Sequence, residues 1–230
     1  MPRRPRYLPV GIPAHVTQRG NNKQICFASD EDIAAYANWL DEGARKYGVL
    51  IHVWVFMTNH VHLLMTPTQE QAISRCMQYI GRYYARYFNY RCKRTGTLFE
   101  DRIKSHPVQT SMYYLIGSRY IELNPVRAGM VSDPADYQWS SYAAHALGKE
   151  IRMWTPHVEF ERLGSTQRVR QISYRQLFET ELDSKLISEI KCAQETVFVL
   201  GTEKFRRQFE VLTGQPQSLQ KRGPKPKREL

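Results

Sequence analysis

Val49-Leu-Ile-His-Val-Trp-Val-Phe-Met57-Thr-Asn-His60-Val-His62-Leu-Leu-Met65 is the stretch on which the fold turns. Its first nine residues are rich in Val, Ile and Trp, the composition that suits a pleated, largely buried strand. Thr58-Asn59 breaks the run, and His60 to Met65 resumes it until Pro67 stops it, so the block reads as a hairpin. Upstream, Asp30 to Tyr47 carries Ile33, Tyr36, Ala37, Leu40 and Ala44 on one helical face, with Ser29 or Asp30 as cap and Gly48 as stop. Ahead of that helix, His15-Val-Thr-Gln-Arg19 alternates as a short strand closed by the turn Gly20-Asn21-Asn22.

Downstream, Gln69 to Tyr90 has the strongest helical pattern of the chain. Ile73, Cys76, Ile80, Tyr83 and Tyr87 recur every three or four residues, and Arg75, Arg82 and Arg86 form a second stripe. Leu98 to Val108 reads as one strand or two, with Arg102 and Lys104 projecting to the same side. The order strand–helix–strand–strand–helix–strand predicts an α+β fold: a ferredoxin-like, RRM-like split βαβ sheet with helices on one face. Ser111 to Leu123 then forms a further helix, stopped at Asn124-Pro125 because a residue before proline avoids the α region.

Beyond Trp139-Ser-Ser-Tyr142 the pattern changes. Val169, Ile172 and Leu177, then Leu186 and Ile190, then Phe205 and Phe209 mark helices with little strand signal. The expected organisation is one domain over residues 1–150, a helical C-terminal region over 151–220 that could bind DNA, and a basic tail over 221–230. That tail holds five basic side chains and two prolines, a composition that does not pack a core.

At 230 residues, with 42% hydrophobic and 24% charged, the chain is long enough to bury a sizeable core. No apolar run approaches the roughly 20 residues of a membrane helix. The opening Met1-Pro-Arg-Arg-Pro-Arg6 lacks the apolar segment of a secretory signal, so the expected location is cytoplasmic, without a membrane partner. Cys26, Cys76, Cys92 and Cys192 are scattered, which suits reduced thiols better than a zinc site. The net charge of +11 favours a polyanion, because each neutralised phosphate releases condensed counterions. Charge kept for solubility alone is the competing explanation.

His60-Val61-His62 sends two imidazoles to one strand face, about 7 Å apart at Cα, where they can converge on one cation. Hydrogen-bonded structural histidines would give the same pattern. Tyr120 and Asn124 stand four residues apart on one helical face, a phenol beside a neutral oxygen ligand that could oppose the histidine strand. Glu122 is the stronger donor but lies about 200° round the helix from Tyr120 and ranks lower. A buried tyrosine with a satisfied hydroxyl is the commoner fate of that residue type.

His60-Val-His62 followed by Arg119-Tyr-Ile-Glu-Leu-Asn-Pro-Val-Arg-Ala-Gly-Met-Val131 resembles the REP-associated tyrosine transposases. These are relatives of the single-tyrosine HUH (IS200-like) transposases of small insertion sequences. His15 to Asn22, Gly96-Thr-Leu-Phe to Lys104-Ser105, and Trp139 to Tyr142 extend the resemblance over residues 8–145. It implies that His60 and His62 bind Mg²⁺ or Mn²⁺ with Asn124 as third ligand, where related transposases often carry glutamine. It implies Tyr120 as the nucleophile on single-stranded DNA, leaving a 5′-phosphotyrosine and a free 3′-hydroxyl. The implied partner is a short DNA hairpin with a single-stranded flank; monomer and homodimer are both compatible.

Candidate DNA contacts are His15, Thr17 and Arg19 on one strand face, Arg102 and Lys104, the Arg75, Arg82 and Arg86 stripe with Tyr83 and Tyr87 interleaved, and the tail residues Lys221, Arg222, Lys225, Lys227 and Arg228. Two other functions compete. His15-Val-Thr17 is an H-x-T triplet of the kind that pairs in metal-free two-histidine RNA phosphodiesterases, although the second triplet here ends in His62. A noncatalytic single-strand binder would keep the charge and the fold without the chemistry.

Overall fold

In a computed structural model, described for residues 7–196 and 198–217, the four expected strands form one antiparallel sheet. They are β1 (Ala14–Arg19), β2 (Val49–Met57), β3 (His60–Pro67) and β4 (Lys104–Pro107), in the spatial order β2-β3-β1-β4. Helices α1 (Asp30–Tyr47) and α2 (Ala72–Arg91) supply the two crossovers. This is the split βαβ arrangement that the element order predicts.

Alternation on the strands divides the molecule into two cores. Val16, Val61, Leu63 and Met65 point to the α1/α2 side, where Tyr36, Leu40, Ile73, Ile80, Tyr84 and Phe88 cover them. Val55, Met57 and Leu64 point the other way, beneath α3 (Met112–Glu122) with its Tyr114, Tyr120 and Ile121. His60 and His62 share the parity of Leu64 and belong to this second face. One feature of β2 was hidden in the sequence. The register against β3 slips between Ile51 and Val53, so Ile51 joins the first core while Val53 joins the second.

Several boundaries differ from expectation. The strand expected over 98–108 shrinks to Lys104–Pro107, the part that pairs with β1; Phe99 makes a single bridge to Gly20. Pro125 does not end the helical path. After α3 the chain re-enters a short helix, α4 (Asn124–Arg127), whose first turn accommodates a proline because its missing N–H has no partner to lose. The C-terminal region folds into α5 (Tyr142–Leu147), α6 (Val158–Glu161), α7 (Gln167–Gln176), α8 (Ser184–Thr196) and α9 (Glu203–Thr213). On α7 the periodic pair Val169 and Ile172 is exposed, and Tyr174 is the buried anchor instead.

This region packs on the second face. Ile190 and Ala193 of α8 share the apolar cluster of Tyr114 and Tyr120. Leu200 forms a parallel bridge to Val108 at the β4 margin, and Ser140 bridges Val55 on the outer edge of β2, so both sheet edges are covered. Among the described residues no helix is long and apolar enough to cross a membrane. All four cysteines are free thiols, with Cys26 and Cys76 buried.

Candidate active site

β1 and β3 set the floor of the site. Their register places Thr17 opposite His62 and Arg19 opposite His60, all on the second face. The His60 and His62 rings lie 4.9 Å apart, and the Tyr120 ring of α3 stands edge-on to His62 at 6.1 Å. A cleft of about 460 Å³ opens over them, lined by Thr17, Arg19, His60, His62, Tyr120 and Asn124, with Glu100, Asp101, Arg102 and Lys104 on one side and Lys191, Gln194 and Glu195 of α8 on the other. The residues expected to carry chemistry are therefore gathered in one place.

Burial keeps both imidazoles neutral. It pushes His60 down to about 4, aided by the nearby Arg19 charge, and holds His62 well below its usual range. Nδ1 of His60 lies 2.6 Å from Asn59 Oδ1, and Nδ1 of His62 lies 2.9 Å from His15 Nε2 and 3.2 Å from Thr17 Oγ1. Among the described residues neither Nε2 has a hydrogen-bond partner. Two neutral imidazoles with their Nδ1 atoms occupied and their Nε2 atoms spare suit a divalent cation. Among the described residues no group of three or more His, Cys, Asp or Glu is gathered to hold a metal. A cation here would complete its shell with Asn124, water and DNA oxygens.

Asn124 lines the cleft through its amide. Its Nδ2 donates to the carbonyls of Tyr120 and Ile121 at 2.9 and 3.1 Å, and its Oδ1 accepts from Arg127 at 3.0 Å. Arg127 was not singled out in the sequence. It donates to the Tyr120 carbonyl at 3.2 Å and lies over the Tyr120 ring, 3.9 Å from the centroid. The short helix past Pro125 brings it there, and its spacing of seven from Tyr120 was the available signal.

Tyr113 and Tyr114, the other tyrosines of α3, do not line the cleft; Tyr114 is buried and stacks on His157 at 4.0 Å. Glu122 faces away into a separate polar cluster, consistent with its angle on the helix. It accepts from Ser141 Oγ at 2.5 Å, His145 Nδ1 at 2.9 Å and Tyr174 Oη at 2.8 Å.

The expected DNA contacts separate into three groups. Thr17, Arg19, Arg102 and Lys104 line the cleft. His15 does not: it is 2% exposed and sits behind His62, so a DNA contact is corrected to a place in the wall of the site. Arg75, Arg82 and Arg86 are exposed on α2, across the sheet from the cleft. Lys221, Arg222, Lys225, Lys227 and Arg228 lie outside the described residues.

The family model described as Transposase IS200 like matches residues 11–124, the span from β1 to Asn124. The structure of a REP-associated tyrosine transposase bound to a REP hairpin aligns with a TM-score of 0.54 at 20% identity, covering 69% of this chain and 93% of that one. A crystal structure of a protein from Deinococcus radiodurans R1, described as a transposase, aligns with a TM-score of 0.37 at 19% identity, covering 53% and 96%. No curated protein matches the chain. Over residues 11–124, the segment that carries the sheet, both histidines and Tyr120, this chain matches the IS200-like transposase family.

Proposed function

We propose that the protein cleaves and rejoins single-stranded DNA at hairpins, with Tyr120 as nucleophile and a divalent cation, Mg²⁺ or Mn²⁺, held by His60, His62 and Asn124. The observation that carries this reading is the convergence of Tyr120 with two neutral imidazoles in one polar cleft. A bound cation would supply Lewis-acid polarisation of a phosphate oxygen.

The chain's own residues do the rest. Tyr120 Oη attacks the phosphorus, the 3′-oxygen departs as a free hydroxyl, and a 5′-phosphotyrosine stores the phosphodiester energy for rejoining. Arg127 pins the phenol ring from above through a cation–π contact. Arg19, Arg102, Lys104 and Lys191 present positive charge along the path of the strand. Stem contacts fix register without reading bases.

The two-histidine phosphodiesterase reading needs both imidazoles open to substrate. His15 is buried, which weighs against it. The test uses a DNA hairpin with a single-stranded flank. The full chain should cut it beside the stem with Mg²⁺ or Mn²⁺, fall silent in EDTA, and lose activity in His60→Ala and His62→Ala. Full activity in EDTA would overturn the proposal, and equal cutting of a perfect duplex would remove its single-strand premise.

A further inference from the structure

We infer that His15 is a positioning residue, whose Nε2 accepts the Nδ1 proton of His62 and so keeps the Nε2 lone pair of His62 directed at the cleft. The inference rests on His62 being a cation ligand. Three strands build the arrangement: His62 on β3, His15 on β1, and His106 on β4, paired directly with His15 in register. All three rings are buried, with His15 5.1 Å from His62 and 5.0 Å from His106, centroid to centroid.

Which nitrogen carries the proton follows from the surroundings. Nδ1 of His62 has two possible acceptors, His15 Nε2 at 2.9 Å and Thr17 Oγ1 at 3.2 Å, while the donor Nε2 of Gln194 stands 3.5 Å from both His62 Nδ1 and His15 Nε2. The cleft side holds Glu100, Asp101 and Glu195 as well as Arg102 and Lys104, but the fixed charges that bear on His62 itself are those of Arg127 and Arg19. A lone pair facing those cations is favoured over an N–H, so the proton belongs on the crowded inner nitrogen. His15 then carries its own proton on Nδ1, which is buried without an oxygen or nitrogen partner. The His106 ring packs edge-on against His15 on that strand pair.

A purely apolar wall would pack the same volume without leaving Nδ1 of His15 and Nε2 of His106 unpaired. What an apolar wall cannot do is fix the tautomer of a ligand. Partners of this type typically change metal affinity by about 10–100-fold when removed. Thr17, at longer range and lining the cleft, is the lesser partner.

The experiment combines two readouts on the full chain. Long-range proton–nitrogen NMR of the metal-free protein reports the His62 tautomer, and Mn²⁺ titration followed by electron paramagnetic resonance reports affinity. The wild type should show His62 protonated at Nδ1. His15→Leu should mix the tautomers and weaken Mn²⁺ by about 10–100-fold. His15→Gln, which retains an acceptor at similar reach, should restore affinity to within a few-fold. A wild-type His62 protonated at Nε2 overturns the inference outright, even if His15→Leu fails to fold. So does a folded His15→Leu that binds Mn²⁺ as tightly as the wild type. A wild type that binds no Mn²⁺ yet shows the Nδ1 tautomer overturns the cation reading and removes the role given to His15, leaving only the hydrogen bond.

Discussion

Tyr174→Phe deletes one oxygen from a cluster that ties α3 to the C-terminal region. In the wild type that hydroxyl donates to Glu122 Oε2 at 2.8 Å, with Tyr174 1% and Glu122 0% exposed. Oε1 keeps Ser141 and His145, but Oε2 has no other partner among the described residues. The ring itself stays in place, stacked on His145 and packed against Phe160 and Phe178. The variant therefore leaves one buried carboxyl oxygen without its partner, at a cost of about 1–3 kcal/mol. For a chain of this size that is a fall in Tm of roughly 4–10 °C. Urea melts followed by tryptophan fluorescence and by far-UV circular dichroism should give coincident transitions and an unchanged m-value. A loss below about 0.5 kcal/mol would show that this hydrogen bond does not hold the cluster together, and the reading of the cluster would fail. Because Tyr174 is remote from the cleft lining, Mn²⁺ affinity should not move.

Arg127→Ala removes both the cation over Tyr120 and the donor to Asn124, so the cleavage rate should fall by about tenfold or more, the equivalent of 1.4 kcal/mol, with folding intact; single-turnover cleavage at saturating DNA checks this, and an unchanged rate refutes the pinning role. Burial pushes His52 down to about 4 and His106 to about 3. Below about pH 6.5 the unfolded chain binds protons that the folded chain refuses, so stability present above that pH is lost on acidification, by about 2 kcal/mol per histidine at pH 5. Thermal melts at pH 7 and pH 5 in EDTA should differ by on the order of 10 °C; equal values would contradict the burial of these rings. Arg102→Ala and Lys104→Ala should each flatten the dependence of log K on log salt for a single-stranded flank by up to about 0.7, and an unchanged slope would remove them from the DNA path.

The hairpin block was legible because strand composition, a break and a stop coincide within Val49 to Pro67. The joint face of Tyr120 and Asn124 followed from helical spacing alone, as did the lower rank of Glu122. The bulge between Ile51 and Val53 was not legible: every residue from Val53 to Met57 is apolar, so alternation carries no information about which face each one takes. Arg127 was missed because Pro125 reads as a stop, whereas a proline in a first helical turn lets the chain continue and fold back over Tyr120. His15 was placed on the correct strand face but at the wrong depth, since parity fixes direction and the covering by α3 and α8 fixes exposure. On α7 the isolated pair Val169 and Ile172 mimicked a buried stripe, while the anchor was a tyrosine chosen for its hydroxyl.

The central claim is that Tyr120 becomes covalently joined to DNA. Incubating the wild type with a labelled DNA hairpin and Mg²⁺, denaturing, digesting with protease and sequencing the adduct by mass spectrometry locates the bond directly. The account predicts one phosphotyrosine, at Tyr120, joined to the 5′ end of the fragment downstream of the cut, and no adduct from Tyr120→Phe that still binds the hairpin. An adduct mapped to Tyr113, Tyr114 or any other residue, or one that persists in Tyr120→Phe, would contradict it.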